Sequence, residues 1–485
     1  MWSIFPLLPL VACVPEAASL PSAGPGLDSV APVDSAGDTA DVATDSADSG
    51  SSSDPGVGVT VIIGGGIAGI EVANDLGDAI LLEKQSALGG RVPRSGGEMF
   101  FAGTAEQEAL GYPDSPAAAA ADWLALTGGE PTDTTLRWLE DSASVEARLM
   151  DEGLSFVLYD DPGDHVPRAH MVVGGGTVLT DNRIAALPDT VDVRLETKAE
   201  ELVLDDRGVA GVLVNGELLA ARTVVIASGG YAGNASVIGS TGAFEAGTWR
   251  AAPPQDGNGW GMVSAGTACL GTAYVDRIGA YPTSVAISGG DGMAIGAQGL
   301  PLTSRGVMVD RTGSVFNNGD ASGSFRQSLA VRQHQPVWVI VDGEAIPELF
   351  ADPDLPYVQA GATCATTIRG LANALGMDPT TLKEGLGSLP ERDTRVSFHG
   401  VDDDVAGELC ALPVGWSVQK SFGGLDVDEA GRVRDTAGNV VPGLWAVGEA
   451  AGMGAPGMGG LVGFDGSLSA IVWSSWRTAA AIRGE

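Results

Sequence analysis

The sequence is poor in positive charge. It contains 26 Lys and Arg residues against 62 Asp and Glu residues, and its formal net charge at pH 7 is −36. A polyanionic surface repels phosphate backbones, so the charge balance argues against nucleic acid as a partner.

Histidine and cysteine are scarce, with four of each in 485 residues. Their positions show neither metal-ligand spacing nor a CxxCH motif, so the sequence predicts no metal site and no attached c-type haem. Cys269, Cys364 and Cys410 permit one disulfide in an oxidising compartment and leave one thiol over. The sequence does not say which two pair.

Long apolar runs are missing beyond the N-terminus, so no transmembrane helix is expected. Residues 1–13 end in Leu10-Val11-Ala12-Cys13, which resembles the bacterial lipobox, where the cysteine thiol is lipidated. Residues 14–57 are acidic and have few large apolar side chains, which predicts a disordered tether. We therefore expect a lipoprotein signal peptide, and a chain held by lipid at Cys13 on the extracytoplasmic face of a bacterial membrane. The alternative is a flexible apolar terminus with a chance cysteine, since no base precedes the run.

Glycine is abundant, with 71 residues, and one glycine cluster has a defined context. Residues 59–63 are β-branched and apolar, as in a buried strand, and run into the G-x-G-x-x-G motif of residues 64–69. A helical pattern follows, and a second strand ends in Glu83. The motif glycines let the backbone turn tightly and approach a pyrophosphate, while the acid is spaced to bind a ribose. The sequence predicts a Rossmann-like dinucleotide-binding domain.

Further motifs follow this unit: Leu88-Gly89-Gly90-Arg91, Ser95-Gly96-Gly97, a strand with a glycine turn at 223–230, and residues 442–450, PGLWAVGEA. With them the chain, over about residues 58–485, resembles the flavoprotein family of fumarate reductases, succinate dehydrogenases and 3-ketosteroid dehydrogenases. The resemblance implies FAD as the cofactor. No histidine precedes His165, whereas covalent attachment in the family uses a histidine near the first glycine region, so non-covalent FAD is expected.

The resemblance also implies an α/β fold with a discontinuous Rossmann-like FAD-binding domain, residues 58–275 and 421–485. An α+β capping domain, residues 276–420, is inserted between the two parts and bears the substrate. The residues expected to bind the cofactor are Gly64, Gly66, Ile67, Ala68, Gly69, Glu83, Lys84, Gly90, Arg91, Ser95, Gly96, Gly97, Ala199, Ala227, Ser228, Gly229, Gly448, Glu449, Ser467 and Leu468.

Members of this family move a hydride between flavin N5 and a C–C bond beside a carbonyl. The resemblance therefore implies a reductase or dehydrogenase whose small-molecule substrate carries a carbonyl or carboxylate, and which exchanges electrons with an external donor or acceptor. Arg326 falls near the family's proton-donor arginine, although a solvated or structural arginine is the alternative. Tyr281 and Lys420 stand where fumarate reductases have histidines, and residues 455–466 contain no base. Dicarboxylate specificity is therefore not expected.

Three alternatives remain open. Tyr281 can pack in a hinge while Lys420 reaches solvent, and His170 beside Arg168 fits a structural role better than a catalytic one. A flavoprotein oxidase on the same fold would use molecular oxygen as acceptor. The absence of the carboxylate-clamping residues also allows a surface protein that retains FAD without turnover.

The lipobox predicts that Cys13→Ser leaves an unprocessed precursor, because the lipidated thiol is missing. Gel mobility and membrane fractionation of the exported chain would test this. A variant that is processed normally and stays membrane-bound would contradict the interpretation.

Overall fold

The computed structural model of the chain describes residues 58–127, 131–159, 166–244, 249–251, 259–284, 306–315, 336–343, 362–388, 404–452 and 467–485. The predicted anchor and tether, and Arg326, lie outside the described residues. Among the described residues, no helix is long and apolar enough to cross a bilayer.

The strands are numbered along the chain. They are β1 Thr60–Ile63, β2 Ile80–Leu82, β3 Glu98–Phe100, β4 Phe156–Tyr159, β5 Ala169–Val172, β6 Asp192–Arg194, β7 Glu201–Asp205, β8 Gly208–Val214, β9 Glu217–Ala220, β10 Thr223–Ile226, β11 Trp249–Arg250, β12 Thr272–Ala273, β13 Ile278–Ser284, β14 Val307–Asp310, β15 Val337–Asp342, β16 Thr363–Thr367, β17 Asp404–Ser421, β18 Gly424–Leu425, β19 Arg432–Arg434 and β20 Val440–Ala446.

The α-helices are numbered in the same way. They are α1 Ile67–Leu76, α2 Ala105–Ala109, α3 Pro116–Thr127, α4 Asp133–Asp151, α5 Gly175–Ala185, α6 Ala235–Ser240, α7 Trp260–Thr267, α8 Ile368–Leu375, α9 Pro379–Gly387 and α10 Leu468–Arg483.

The first sheet has the strand order β19-β20-β10-β1-β2-β6, and every pair except β19–β20 is parallel. Val61 pairs with Val224 on one side and Ile80 on the other. The β-branched residues of β1 and β10 are buried, as expected for a parallel sheet covered on both faces. This sheet is the predicted Rossmann-like core.

The turn from β1 into α1 depends on close backbone packing. Gly64 has φ +108°, a left-handed value that favours glycine. A Cβ on Gly69 would lie 2.0 Å from the Gly64 carbonyl oxygen, so no side chain fits there. Both glycines therefore serve the helix–strand packing that the motif predicted.

The second sheet is built around β17, an 18-residue strand. Its order is β11-β17-β15-β14, and β13 and β16 also pair with β17. Buried residues of β15 and β17, including Val339, Leu412 and Trp416, form a core separate from that of the first sheet. The predicted fold class, an FAD-binding α/β fold with a capping domain, is thereby confirmed. The exact domain limits stay a prediction.

The cysteines pair differently from the expectation. Cys364 and Cys410 form a disulfide between directly opposed residues of β16 and β17. Cys269 is also disulfide-bonded, through a partner outside the described residues, and none of the described cysteines is free. The expected remaining thiol is therefore wrong. Residue counting could not reveal this, because pairing depends on which strands lie side by side.

A buried ion pair joins α1, α5 and α10. Arg183 donates from Nε and Nη2 to the two carboxylate oxygens of Glu71, at 2.6 and 3.0 Å, and Trp476 Nε1 donates to the same carboxylate at 2.8 Å. Glu71 is fully buried and Arg183 is 2% exposed. Burial disfavours the charge on Arg183, but the Glu71 carboxylate outweighs burial and raises the pKa of Arg183.

Substituting Arg183 by Met should lower the free energy of unfolding by about 3–5 kcal/mol, because Glu71 is left buried without its cation. Arg194→Met is the matched control, since Arg194 pairs with Asp192 at the exposed surface and should cost less than about 1 kcal/mol. Urea denaturation of both variants measures the difference. Equal losses would show that the buried pair does not hold the helices together.

Candidate cofactor and substrate site

The loops at the carboxyl ends of four parallel strands converge. Gly64 follows β1, Glu83 follows β2, Ala199 comes after β6, and Ser228 comes after β10. In open α/β sheets this edge is where ligands bind, at the point where the chain changes direction across the sheet. These residues are far apart in the sequence, and the parallel pairing of the strands brings them together.

Two adjoining cavities lie at this edge, with volumes of about 330 Å³ and 60 Å³. Both are lined by Gly64, Glu83, Lys84 and Ser228. The larger is further lined by Gly66, Gln85, Ser86, Ala87, Leu88, Gly90, Arg91, Arg94, Ala227 and Gly229. The smaller is further lined by Ile63, Leu82, Thr197, Lys198, Ala199 and Trp260.

The larger cavity suits a diphosphate. Three of its lining residues, Lys84, Arg91 and Arg94, are basic and only Glu83 is acidic, in a protein where acids outnumber bases. Gly66 is the N-cap of α1, no side chain caps this helix, and no acid lies in its first turn. The free amides and the helix dipole therefore favour an anion here.

Glycine at position 66 keeps the approach open. A Cβ on Gly66 would meet no described atom within 4 Å, although its φ of −77° suits any residue. The same open space lies beside Gly229. At Gly66 a side chain is thus excluded by the space a ligand needs and not by the fold, whereas at Gly229 the φ of +73° itself favours glycine.

Glu83 is held in place at the tip of β2. Its Oε2 accepts a hydrogen bond from the Gly65 amide at 2.8 Å and its Oε1 accepts one from the Gln85 amide at 2.7 Å. The residue is 7% exposed. Each carboxylate oxygen has a second lone pair, so both can still accept from ribose hydroxyls.

Ser228 supplies the clearest sign of a missing partner. Ser228 lines both cavities, and its hydroxyl is buried and forms no hydrogen bond within the described part of the chain. Buried polar groups are rarely left unsatisfied. A polar ligand that spans the two cavities would satisfy this hydroxyl, as the adenosine diphosphate part of FAD can.

Comparison with known proteins decides the family. The FAD binding domain family matches residues 60–463. The chain belongs to this family. The prediction that FAD is its cofactor is therefore confirmed, as is its assignment as an FAD-dependent oxidoreductase related to fumarate reductases and steroid dehydrogenases.

Two relatives illustrate the range of this group. A fumarate reductase (cytochrome) of Shewanella frigidimarina is 26% identical over 432 residues, which cover 81% of this chain and 72% of the relative. A KsdD-like steroid dehydrogenase of Mycolicibacterium smegmatis is also 26% identical, over 84% of this chain and 95% of the relative.

Solved structures show the same fold. A 3-ketosteroid Δ1-dehydrogenase from Sterolibacterium denitrificans has a TM-score of 0.66 at 19% identity, covering 88% of this chain and 99% of its own. An open flavocytochrome c3 fumarate reductase has a TM-score of 0.60 at 22% identity, covering 87% of this chain and 78% of its own.

A second group of predicted residues meets where β17, β20 and α10 converge. Gly448 comes close to α1, since a Cβ there would lie 2.8 Å from the Ala68 Cβ. Glu449 Oε1 accepts hydrogen bonds from the Ser421 amide and hydroxyl at 2.7 and 3.1 Å. Lys420 Nζ lies 3.5 Å from the Oγ of Ser467, which begins α10 beside Leu468.

Arg91 connects the two groups. Its guanidinium lines the larger cavity and donates to Gln419, through Nη2 to the side-chain oxygen at 3.0 Å and through Nη1 to the backbone carbonyl. Gln419 precedes Lys420 on β17. The Arg91 side chain therefore links the larger cavity to strand β17.

Several predicted residues lie behind the cavities. Ile67, Ala68 and Gly69 are buried in the first turn of α1. Ser95 donates from Oγ to the Val92 carbonyl, and a Cβ on Gly96 would meet Met171 at 2.8 Å. A Cβ on Gly97 would lie 2.8 Å from the Gly175 backbone. Gly96 and Gly97 thus allow this segment to pack against β5 and α5.

Gln85–Leu88, Arg94, Thr197, Lys198 and Trp260 line the cavities but were not predicted from the sequence. Of these residues, only Leu88 belongs to a motif, Leu88-Gly89-Gly90-Arg91. Thr197 and Lys198 could have been found as neighbours of Ala199, because every loop at this edge of the sheet contributes to the cavities.

The predicted catalytic residues are only partly brought together. Tyr281 lies on β13 opposite Ser417, and Lys420 lies opposite Gly279 on the same strand pair. Tyr281 and Lys420 are therefore two rungs apart on one ladder, with the Ala280–Val418 pair between them. Arg326 lies outside the described residues.

His170 is part of the core and lines neither cavity. It is fully buried, with Nδ1 2.9 Å from the Arg168 carbonyl oxygen and Nε2 3.2 Å from Thr104 Oγ1. Burial lowers the pKa of His170. Arg168 forms ion pairs with Asp114 and Asp122, each at 2.7 Å. This arrangement favours the structural interpretation of both residues.

Gly66→Val should weaken FAD binding by about 10- to 100-fold while the protein stays folded, since the backbone tolerates valine but the side chain fills the ligand's approach and costs it hydrogen bonds. Gly266→Val is the control, because Gly266 lies on exposed α7 with open space around it. The flavin-to-protein ratio and FAD titration of the apoprotein measure the effect. Wild-type affinity in Gly66→Val would remove this loop from the cofactor site.

Proposed function

We propose that this protein transfers a hydride between FAD and an activated C–C bond of a small molecule with one carbonyl or carboxylate group. Membership of the FAD binding domain family supports the redox part of the proposal. The observation that supports the substrate class is the position of Lys420 beside Ser467, at the N-terminus of α10. When bound, FAD supplies the group that accepts or donates the hydride.

Lys420 and α10 together form a positively charged spot. The ammonium is a point charge, and the N-terminus of the 16-residue helix adds partial positive charge. Glu449 fixes the adjoining Ser421 backbone, so the ammonium is held near the helix end. Such a spot would stabilise negative charge, either on a substrate oxygen or on the cofactor.

Tyr281 would complete the substrate side. A phenol has an unperturbed pKa near 10, so at neutral pH it can donate a hydrogen bond to an oxygen that gains charge. The pairing of β13 with β17 supports this role, because the backbone of Tyr281 lies two rungs from that of Lys420 along one ladder. Arg326 is proposed as the proton donor on the resemblance of its sequence context alone.

The relatives carry the names of a fumarate reductase and of steroid dehydrogenases. Fumarate has two carboxylates, which need two clamps. Here Tyr281 and Lys420 offer one phenol and one ammonium, without the planar, bidentate grip of arginine. A substrate with a single carbonyl or carboxylate and otherwise apolar bulk fits this set better than a dicarboxylate.

FAD is proposed to be non-covalent and to exchange electrons with an external carrier. No histidine precedes His165 in the sequence, which supports non-covalent binding.

The extracytoplasmic lipid anchor at Cys13 is likewise proposed, on the lipobox sequence.

Lys420→Met should lower kcat/KM on the true substrate by about 30- to 1000-fold, the range found when one donor to a developing charge is removed. Tyr281→Phe should lower it by the same mechanism. Lys383→Met on α9 and Tyr159→Phe on β4 are matched controls outside this region. Steady-state kinetics, with a measured potential of the bound flavin, separate the two roles of Lys420: a changed KM at unchanged potential marks substrate binding, and a lowered potential marks the cofactor.

Efficient fumarate turnover by the wild-type protein would contradict the proposed substrate class. Unaltered kcat/KM in both Lys420→Met and Tyr281→Phe would remove these residues from the site.

A further inference from the structure

Three residues with metal-ligating side chains meet away from the cofactor cavities. Glu106 on α2, Glu146 on α4 and His170 on β5 each present one ligand atom, and these atoms lie within 4.8 Å of one another. The distance from His170 Nε2 to Glu146 Oε1 is 3.6 Å. None of the three lines either of the described cofactor cavities.

Among the described residues, Glu146 has no partner other than His170. It is 7% exposed, and within the described part of the chain it accepts no hydrogen bond and pairs with no lysine or arginine. The nearby Arg168 is already bonded to Asp114 and Asp122. A buried carboxylate beside a second carboxylate is unfavourable unless a cation compensates for both.

The orientation of His170 suits a metal ligand. The Arg168 carbonyl can only accept, so Nδ1 carries the proton of their 2.9 Å hydrogen bond. The lone pair of the neutral ring is then on Nε2, which accepts from the Thr104 hydroxyl at 3.2 Å and lies 3.6 Å from Glu146 Oε1. Metal-ligating histidines are commonly oriented in this way, with the other ring nitrogen donating to a backbone carbonyl.

We propose that Glu106, Glu146 and His170 bind a divalent transition-metal ion, for which zinc is the best match. Zinc takes imidazole nitrogen and carboxylate oxygen at about 2.0–2.2 Å, which places neighbouring tetrahedral ligands about 3.4 Å apart. The 3.6 Å separation of Nε2 and Oε1 fits this value. Calcium and magnesium prefer all-oxygen sites with more ligands, which a buried histidine does not provide.

A fourth ligand is close at hand. Thr104 Oγ1 lies 3.2 Å from His170 Nε2 and accepts from the Gln107 amide. This hydroxyl, or a water in its place, would complete a tetrahedral set. The ion would connect α2, α4 and β5, whose ligands are 40 and 24 positions apart in the sequence. No short spacing motif could reveal such a site.

The full-length, FAD-bound protein, stripped with EDTA, should bind one zinc ion per chain when titrated calorimetrically with zinc chloride, and its melting temperature should rise. Glu146→Gln should weaken zinc binding by more than about 100-fold, beyond the loss typical of residues that only support ligands. Its melting temperature without zinc should equal or exceed that of the wild type, because a buried charge is removed. Glu140→Gln on the exposed side of α4 and Glu108→Gln on α2 should bind zinc like the wild type.

The absence of stoichiometric zinc binding would overturn the proposal, as would binding that Glu146→Gln leaves unchanged. Tighter binding of calcium than of zinc would also overturn it. If Glu146→Gln folds poorly, Glu106→Gln provides the same comparison, since Glu106 is only half-buried. Zinc affinity that Glu106→Gln does not weaken would count against the site.

Discussion

The buried pair of Glu71 and Arg183 determines where α1 points. Glu71 lies on α1, Arg183 on α5 and Trp476 on α10, so a single carboxylate fixes the relative position of three helices. The N-terminus of α1 is the end that faces the larger cavity. An ion pair within the core thus controls the direction of the helix dipole at the cofactor site, although no residue of the pair lines the described cavities.

Much of the cofactor site could be predicted because its physical requirements are local. A β-branched strand, a turn that needs a positive φ at Gly64, and a helix whose Gly69 touches the turn all lie within ten residues of sequence. Glu83 could be predicted because a parallel strand of known length ends there. The family match to residues 60–463 confirms the cofactor that these patterns indicated.

The remaining features depend on contacts between distant segments. The Cys364–Cys410 disulfide requires β16 and β17 to pair in one register, and Ser228 is significant only because it lines two cavities and its hydroxyl has no hydrogen bond in the described part of the chain. Arg91 bonds to Gln419, and Glu449 bonds to Ser421. Both partners are on β17, more than two hundred residues from Arg91 in the sequence. Hydrophobic periodicity carries no information about such pairs. The proposed substrate-binding residues were harder to predict, because Tyr281 and Lys420 stand where fumarate reductases have histidines. No motif of the family therefore remains to be matched there.

The length of β17 has a mechanical consequence. At about 3.3 Å per residue, an 18-residue strand extends for about 60 Å. Its middle is built into the capping sheet, and its end carries Gln419 and Lys420 to the cofactor edge. A strand within a sheet resists stretching, so a displacement of its middle also displaces its end. Any tilt of the capping sheet would therefore also move the Lys420 charge and pull on Arg91, which lines the larger cavity.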